Sequence, residues 1–197
     1  MSDNDRISAY YLGRLDRNRE THEALGWESA EAQAARFSVL LQVTPKERYS
    51  LLDVGAGLGD LFGFLRENQE PVVYTGVDIL PQMVDRARRR FPGARFECID
   101  LLSDESWSER FDVVYASGIF NLRTPDNLGL VTRAAERFGA ITERLCVANF
   151  LSESSPDKEE PYYYYSPETV GSIFSDFFPR VEIIDGYLKN DFTVVAS

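Results

Sequence analysis

From about residue 50 onward, short apolar runs alternate with longer stretches of helical periodicity. Residues 50–54 form an apolar run that ends in glycines, and residues 60–68 carry Leu61, Phe64 and Leu65 on one helical face. Residues 71–77 read as a second strand. Pro81 then opens a helix at the first helical position, where its missing N–H costs nothing, and Pro92-Gly93 closes it. Strands follow at 94–99 and 111–117, a helix at 127–139, a strand at 145–150, a helix at 167–178 and two final strands at 180–184 and 191–196.

Strands that alternate with helices predict a parallel sheet covered on both faces. Val113, Val114, Tyr115 and Ala116 are continuously apolar, as burial on two sides demands. The link between the last two strands is too short for a crossover helix, so they are expected to pair antiparallel. Ahead of the first strand lie two helical stretches, residues 7–17 with Tyr10 and Tyr11, and residues 29–43 with Ser29 as a candidate N-cap. The expectation is one domain, with a helical appendage over residues 1–45 and an α/β core over residues 46–197.

The chain has 197 residues, enough for one proper core, and a formal net charge of −11. A strongly acidic surface repels phosphate backbones and anionic membranes, so no nucleic acid and no membrane partner is expected. No apolar run is long enough to span a bilayer, and the polar start of the chain lacks a leader-like apolar segment, so a cytoplasmic location is expected. Cys98 and Cys146 sit in apolar strand-like segments and read as core thiols. With His22 as the only histidine, no metal site is expected.

The sharpest local signal is Asp53-Val54-Gly55-Ala56-Gly57-Leu58-Gly59, after a strand and before a helix. Glycines there permit a tight turn and close backbone approach to a ligand at the carboxyl edge of a parallel sheet. A dinucleotide fingerprint would need glycine at position 60, where Asp60 stands, and a phosphate loop would need a following Gly-Lys pair. A carboxylate at the helix start also disfavours a pyrophosphate, so a nucleoside without one suits the loop better. Asp78 ends the second strand and offers two acceptor oxygens to the two hydroxyls of a ribose, although capping of the next helix competes for it. Asp100 ends the third strand and could face an adenine amino group.

These segments, together with Ile79, Met83 and residues 96–100 and 111–117, resemble the successive motifs of class I S-adenosylmethionine-dependent methyltransferases. The resemblance implies a Rossmann-like, doubly wound, seven-stranded and mostly parallel sheet with an antiparallel C-terminal strand. It implies S-adenosyl-L-methionine as cofactor, with Asp53, Gly55, Ala56, Gly57 and Gly59 in the loop and Asp78 on the ribose. Ile79, Met83, Asp100 and Leu101 would surround the adenine, and Ala116, Ser117 and Gly118 would lie near the reacting methyl. Gly26-Trp27, residues 33–37 and residues 117–121 resemble an uncharacterised bacterial subset of the family, which supplies no acceptor.

An activated methyl donor needs a nucleophile held in line and water excluded, so no catalytic triad is required and none is visible. No asparagine-proline-proline-aromatic segment follows the fourth strand, which argues against methylation of nucleic-acid bases. Arg36 is a candidate for the methionine carboxylate of the cofactor, through its fork of donors, or else a surface arginine. Tyr10, Tyr11, Phe120, Asn121 and Tyr163 are candidates for a small-molecule acceptor pocket. Residues 152–161 read as a mobile loop. A non-catalytic cofactor-binding module acting through a protein partner is the alternative, and a nicotinamide oxidoreductase is disfavoured by Asp60.

Overall fold

The computed structural model describes residues 3–15, 29–104 and 106–197. Among these, α1 (Asp3–Leu15) and α2 (Ala30–Val43) precede an alternating series. The series runs β1 (Tyr49–Val54), α3 (Asp60–Glu67), β2 (Val72–Asp78), α4 (Pro81–Arg90), β3 (Arg95–Cys98) and β4 (Phe111–Ala116). It continues with α5 (Asn127–Ile141), β5 (Thr142–Leu151), α6 (Pro167–Ser175), β6 (Val181–Ile184) and β7 (Asp191–Ala196). His22, Gly26 and Trp27 lie outside the described residues.

The seven strands form one sheet in the order β3-β2-β1-β4-β5-β7-β6. β1 to β5 pair in parallel, while β7 runs antiparallel to both β5 and β6. This is the expected Rossmann-like arrangement. The elements start where local chemistry starts them: Ser29 Oγ accepts from Ala32 N at 3.1 Å, and Pro81 and Pro167 stand at the beginnings of α4 and α6.

Alternation along the strands divides the core between the two faces of the sheet. Leu51 and Val113 face one way, with Phe37 and Leu40 of α2, Leu61 and Leu65 of α3, and Val84 of α4. Leu52 and Val114 face the other way, with Val131 and Phe138 of α5 and Phe174 of α6. On this second face Phe150 is stacked between Phe120, at 4.6 Å between ring centroids, and Phe192, at 5.4 Å. α1 has a smaller apolar contact of its own, in which Leu15 meets Leu58, Leu80 and Met83. No described helix is long and apolar enough to cross a membrane.

Two expectations are corrected. Cys146 is buried, but Cys98 is exposed because it ends β3, the edge strand of the sheet. Residues 152–161 are tied into the fold: Ser155 Oγ donates to Asn190 Oδ1 at 2.9 Å, and Glu153 N donates to Tyr165 O at 2.8 Å.

Among the described residues, the core also holds one deeply buried ion pair. Arg36 in α2 grips Asp191 at the start of β7 through two bonds, Nε to Oδ2 at 2.7 Å and Nη2 to Oδ1 at 2.5 Å. Removing either partner strands a charge in the interior, which typically costs about 3–5 kcal/mol. Asp191→Ala should therefore lower unfolding stability by roughly that amount in urea titrations. A loss below about 1 kcal/mol would show that the pair is solvated in practice.

Candidate functional site

The carboxyl edges of β1, β2, β3 and β4 border a cavity of about 400 Å³. Register explains the convergence: Val54 pairs with Val77 and with Ala116, and Asp78 pairs with Cys98, so the four strand ends lie level. Gly55 and Gly57 form part of the wall. Gly55 has φ of +80°, and a Cβ there would overlap Ile119 Cγ2, so the turn needs glycine for both conformation and space.

Asp78 is held from two sides. Leu80 N donates to its Oδ1 and Gly57 N to its Oδ2, each at 2.9 Å. Burial raises the pKa of this carboxyl, and the amide bonds, with Leu80 first, oppose that rise. Each oxygen keeps lone-pair capacity for a further donor from the cavity. The capping alternative is thus met only in part, because Leu80 is the N-cap of α4 and Asp78 ties its turn to the glycine loop.

Ile79 and Met83 line the same cavity, as do Asp100 and Leu101 beyond β3, and Ser117 and Gly118 at the tip of β4. Ser117 Oγ is buried without a hydrogen-bond partner. It lies near the Tyr115 hydroxyl but out of bonding geometry, and Tyr115 instead donates to Asn149 Oδ1 at 2.9 Å. Tyr11 of α1 lines the same cavity.

Other candidates lie elsewhere. The fork of Arg36 is engaged by Asp191, and Arg36 is buried rather than on the surface. Asp53 is buried beneath the loop and accepts from Tyr74 Oη at 2.6 Å. Ala56 is buried in the core beside Leu61 and Phe96, and Gly59 is the left-handed N-cap of α3. Ala116 and Phe120 are fully buried in the core. Asn121 accepts from Tyr163 N at 2.8 Å through its carbonyl, and the Tyr163 ring packs on Tyr165 at 4.7 Å. Tyr10 pairs hydroxyl to hydroxyl with Tyr162 at 2.7 Å. None of residues 162–165 is part of the cavity wall.

Asp60 is not a bare charge at the start of α3. It is buried, accepts from Gln33 Nε2 at 3.2 Å and forms an ion pair with Arg90. Its charge is thus compensated, and repulsion of a pyrophosphate is a weaker argument than the bare sequence suggests. The sequence reading also missed Ile119, Leu122, Leu130 and Arg133 in the wall. Leu130 and Arg133 stand one turn apart on α5, a spacing visible in the sequence but without a sign that this face meets the cavity.

Residues 52–156 match the methyltransferase domain family. The chain belongs to that family. It is 30% identical over 138 residues to a Mycobacterium tuberculosis protein named as a methyltransferase, covering 61% of this chain and 76% of that one. It is 26% identical over 156 residues to trans-aconitate 2-methyltransferase of Agrobacterium fabrum, covering 78% of this chain and 57% of that one. Its fold superposes on N-methyltransferase NodS of Bradyrhizobium japonicum, solved with S-adenosyl-L-homocysteine, at a TM-score of 0.69 and 14% identity, covering 95% of this chain and 97% of that one. The cofactor of this methyltransferase-family chain is S-adenosyl-L-methionine. These matches lend no support to the binding-module alternative. The site fits the cofactor: the glycine turn leaves no room for a side chain, and Asp78 in the cavity wall keeps acceptor capacity beyond its two amide bonds.

Asp53 carries a pH signature. Burial pushes its carboxyl up to about 7, although the Tyr74 hydroxyl bond favours the charged form. The folded protein then binds this proton more tightly than the unfolded chain, whose aspartates titrate near 3.9. The contribution to stability is full below about pH 4 and is lost as pH rises through about 7. Asp53→Asn should flatten the fall of stability between those values, measured by urea unfolding across pH. An unchanged slope would assign the titration to another group.

Proposed function

We propose that this chain is an enzyme that transfers the methyl group of S-adenosyl-L-methionine to a small-molecule acceptor. The observation that carries the reading is Asp78, a carboxylate fixed by Gly57 N and Leu80 N in the wall of an otherwise largely apolar cavity. Its two oxygens would accept the two ribose hydroxyls. Gly55 and Gly57 would let the backbone approach the methionine part, and Ile79 and Leu101 would pack on the adenine with Asp100 at its amino group. When bound, the cofactor supplies a methyl group already activated on a sulfonium.

The protein's own contribution is then placement and dryness. Ser117 and Gly118 at the tip of β4, with Ile119 against Gly55, would border the reacting end and keep water out. Holding a nucleophile in line can supply about 7–11 kcal/mol of the barrier, so the reaction needs no dedicated base for an acceptor that arrives deprotonated. A small acceptor suits a cavity to whose wall α1 adds Ile7 and Tyr11, and one relative is named a trans-aconitate 2-methyltransferase.

Asp78→Ala should weaken binding of S-adenosyl-L-homocysteine by roughly 2–4 kcal/mol, read by calorimetry, since two charge-assisted bonds are lost. Undiminished affinity would remove the ribose assignment. Tight binding of NAD in place of the methionine compounds would overturn the reading altogether. Turnover is then sought by following labelled methyl transfer into pools of small metabolites.

A further inference from the structure

The residue that the cavity leaves unexplained is Tyr11. It lines the wall shared by Gly57, Asp78, Ile79 and Met83, yet it comes from α1, far from the glycine loop in sequence. Its hydroxyl makes no hydrogen bond with another described residue. Tyr162, Asp78, Arg14 and Arg36 lie within electrostatic range of it, Tyr162 most strongly.

The ring is held in place. It meets Tyr10 edge-on, with centroids 5.0 Å apart and planes at 90°. Tyr10 is anchored through its hydroxyl to Tyr162. One turn further along α1, Leu15 is buried against Leu58, Leu80 and Met83, and its carbonyl accepts from Arg86 Nη1 at 3.2 Å. Tyr11 itself packs on that cluster. α1 is thus docked on the elements that carry the cofactor wall, and Tyr11 is its contribution to that wall.

The chemistry narrows what belongs between the two groups. Burial raises the pKa of the phenol far above neutrality, so Tyr11 is a hydrogen-bond donor there and not a base. Asp78 is an acceptor. A group lodged between a donor and an acceptor must accept from one and donate to the other. A carboxylate cannot donate and an ammonium cannot accept, whereas a hydroxyl does both.

We propose that Tyr11 belongs to the cofactor site rather than to the acceptor pocket, its hydroxyl donating to a ribose hydroxyl that in turn donates to Asp78. The inference rests on the ribose assignment of Asp78. It gives α1 a direct role in holding the nucleoside.

The test uses the full chain, calorimetry, and S-adenosyl-L-homocysteine with its 2′-deoxy and 3′-deoxy counterparts as probes. Tyr11→Phe removes only the hydroxyl. It should weaken binding of the parent compound about five- to tenfold, the usual net effect of one such bond. Against the deoxy compound that lacks the bonded hydroxyl, wild type and variant should bind alike. Equal affinities for the parent compound, or the same loss with all three compounds, would overturn the proposal. Hydrogen exchange on the wild-type chain is a second measure: amides of α1 should slow when the parent compound is added, and unchanged exchange would count against it. A wild type that binds none of the compounds defeats the Asp78 reading itself. A binding wild type with an indifferent Tyr11→Phe variant defeats only the role of Tyr11.

Discussion

The structure depends on one alignment: the ends of four parallel strands lie level, so the residues that follow them meet along a single edge. Val54 stands beside Val77 and Ala116, and Asp78 beside Cys98. Asp78 is then close enough to the glycine turn to accept from Gly57 N, and the turn is closed against Ile119 from the β4 side. A slip of one residue between β1 and β2 would send each side chain of the slipped strand to the opposite face of the sheet, separating both cores and the site at once.

Around that edge, buried charge is handled in three ways. Arg36 and Asp191 neutralise each other through paired bonds, and Asp60 is shared between Gln33 and Arg90. Asp53 accepts from the Tyr74 hydroxyl, and burial nonetheless raises its proton affinity. Asp78 is the one whose amide bonds leave it open toward the cavity. The difference between a carboxylate that supports the fold and one suited to a ligand therefore lies in what each faces, since all of them are acidic residues near strand or helix ends.

Much of this was legible in the residues. Period and punctuation revealed the strands and helices, because Pro81, Ser29 and the glycine loop act locally. The Asp53–Gly59 turn and the strand-end carboxylates Asp78 and Asp100 pointed to one edge. What stayed hidden depends on contacts distant in sequence. Nothing local shows that Arg36 will meet Asp191, that Cys98 ends an edge strand, or that none of residues 162–165 will enter the cavity while Tyr11 does. The glycine pattern also could not separate Gly55, in the wall, from Gly59, which shapes the helix start.

The Phe120–Phe150–Phe192 stack has a consequence for how the molecule is made. Phe120 belongs to the loop that carries Ser117 and Gly118, whereas Phe192 sits in the last strand, which is inserted between β5 and β6. During synthesis from the amino end, every residue of the cavity wall leaves the ribosome before β7 does. Until β7 slots in, Phe150 lacks its Phe192 contact and Arg36 lacks Asp191. The nascent chain thus carries all the cavity-lining residues on an unfinished sheet, and the strand that locks it emerges after them.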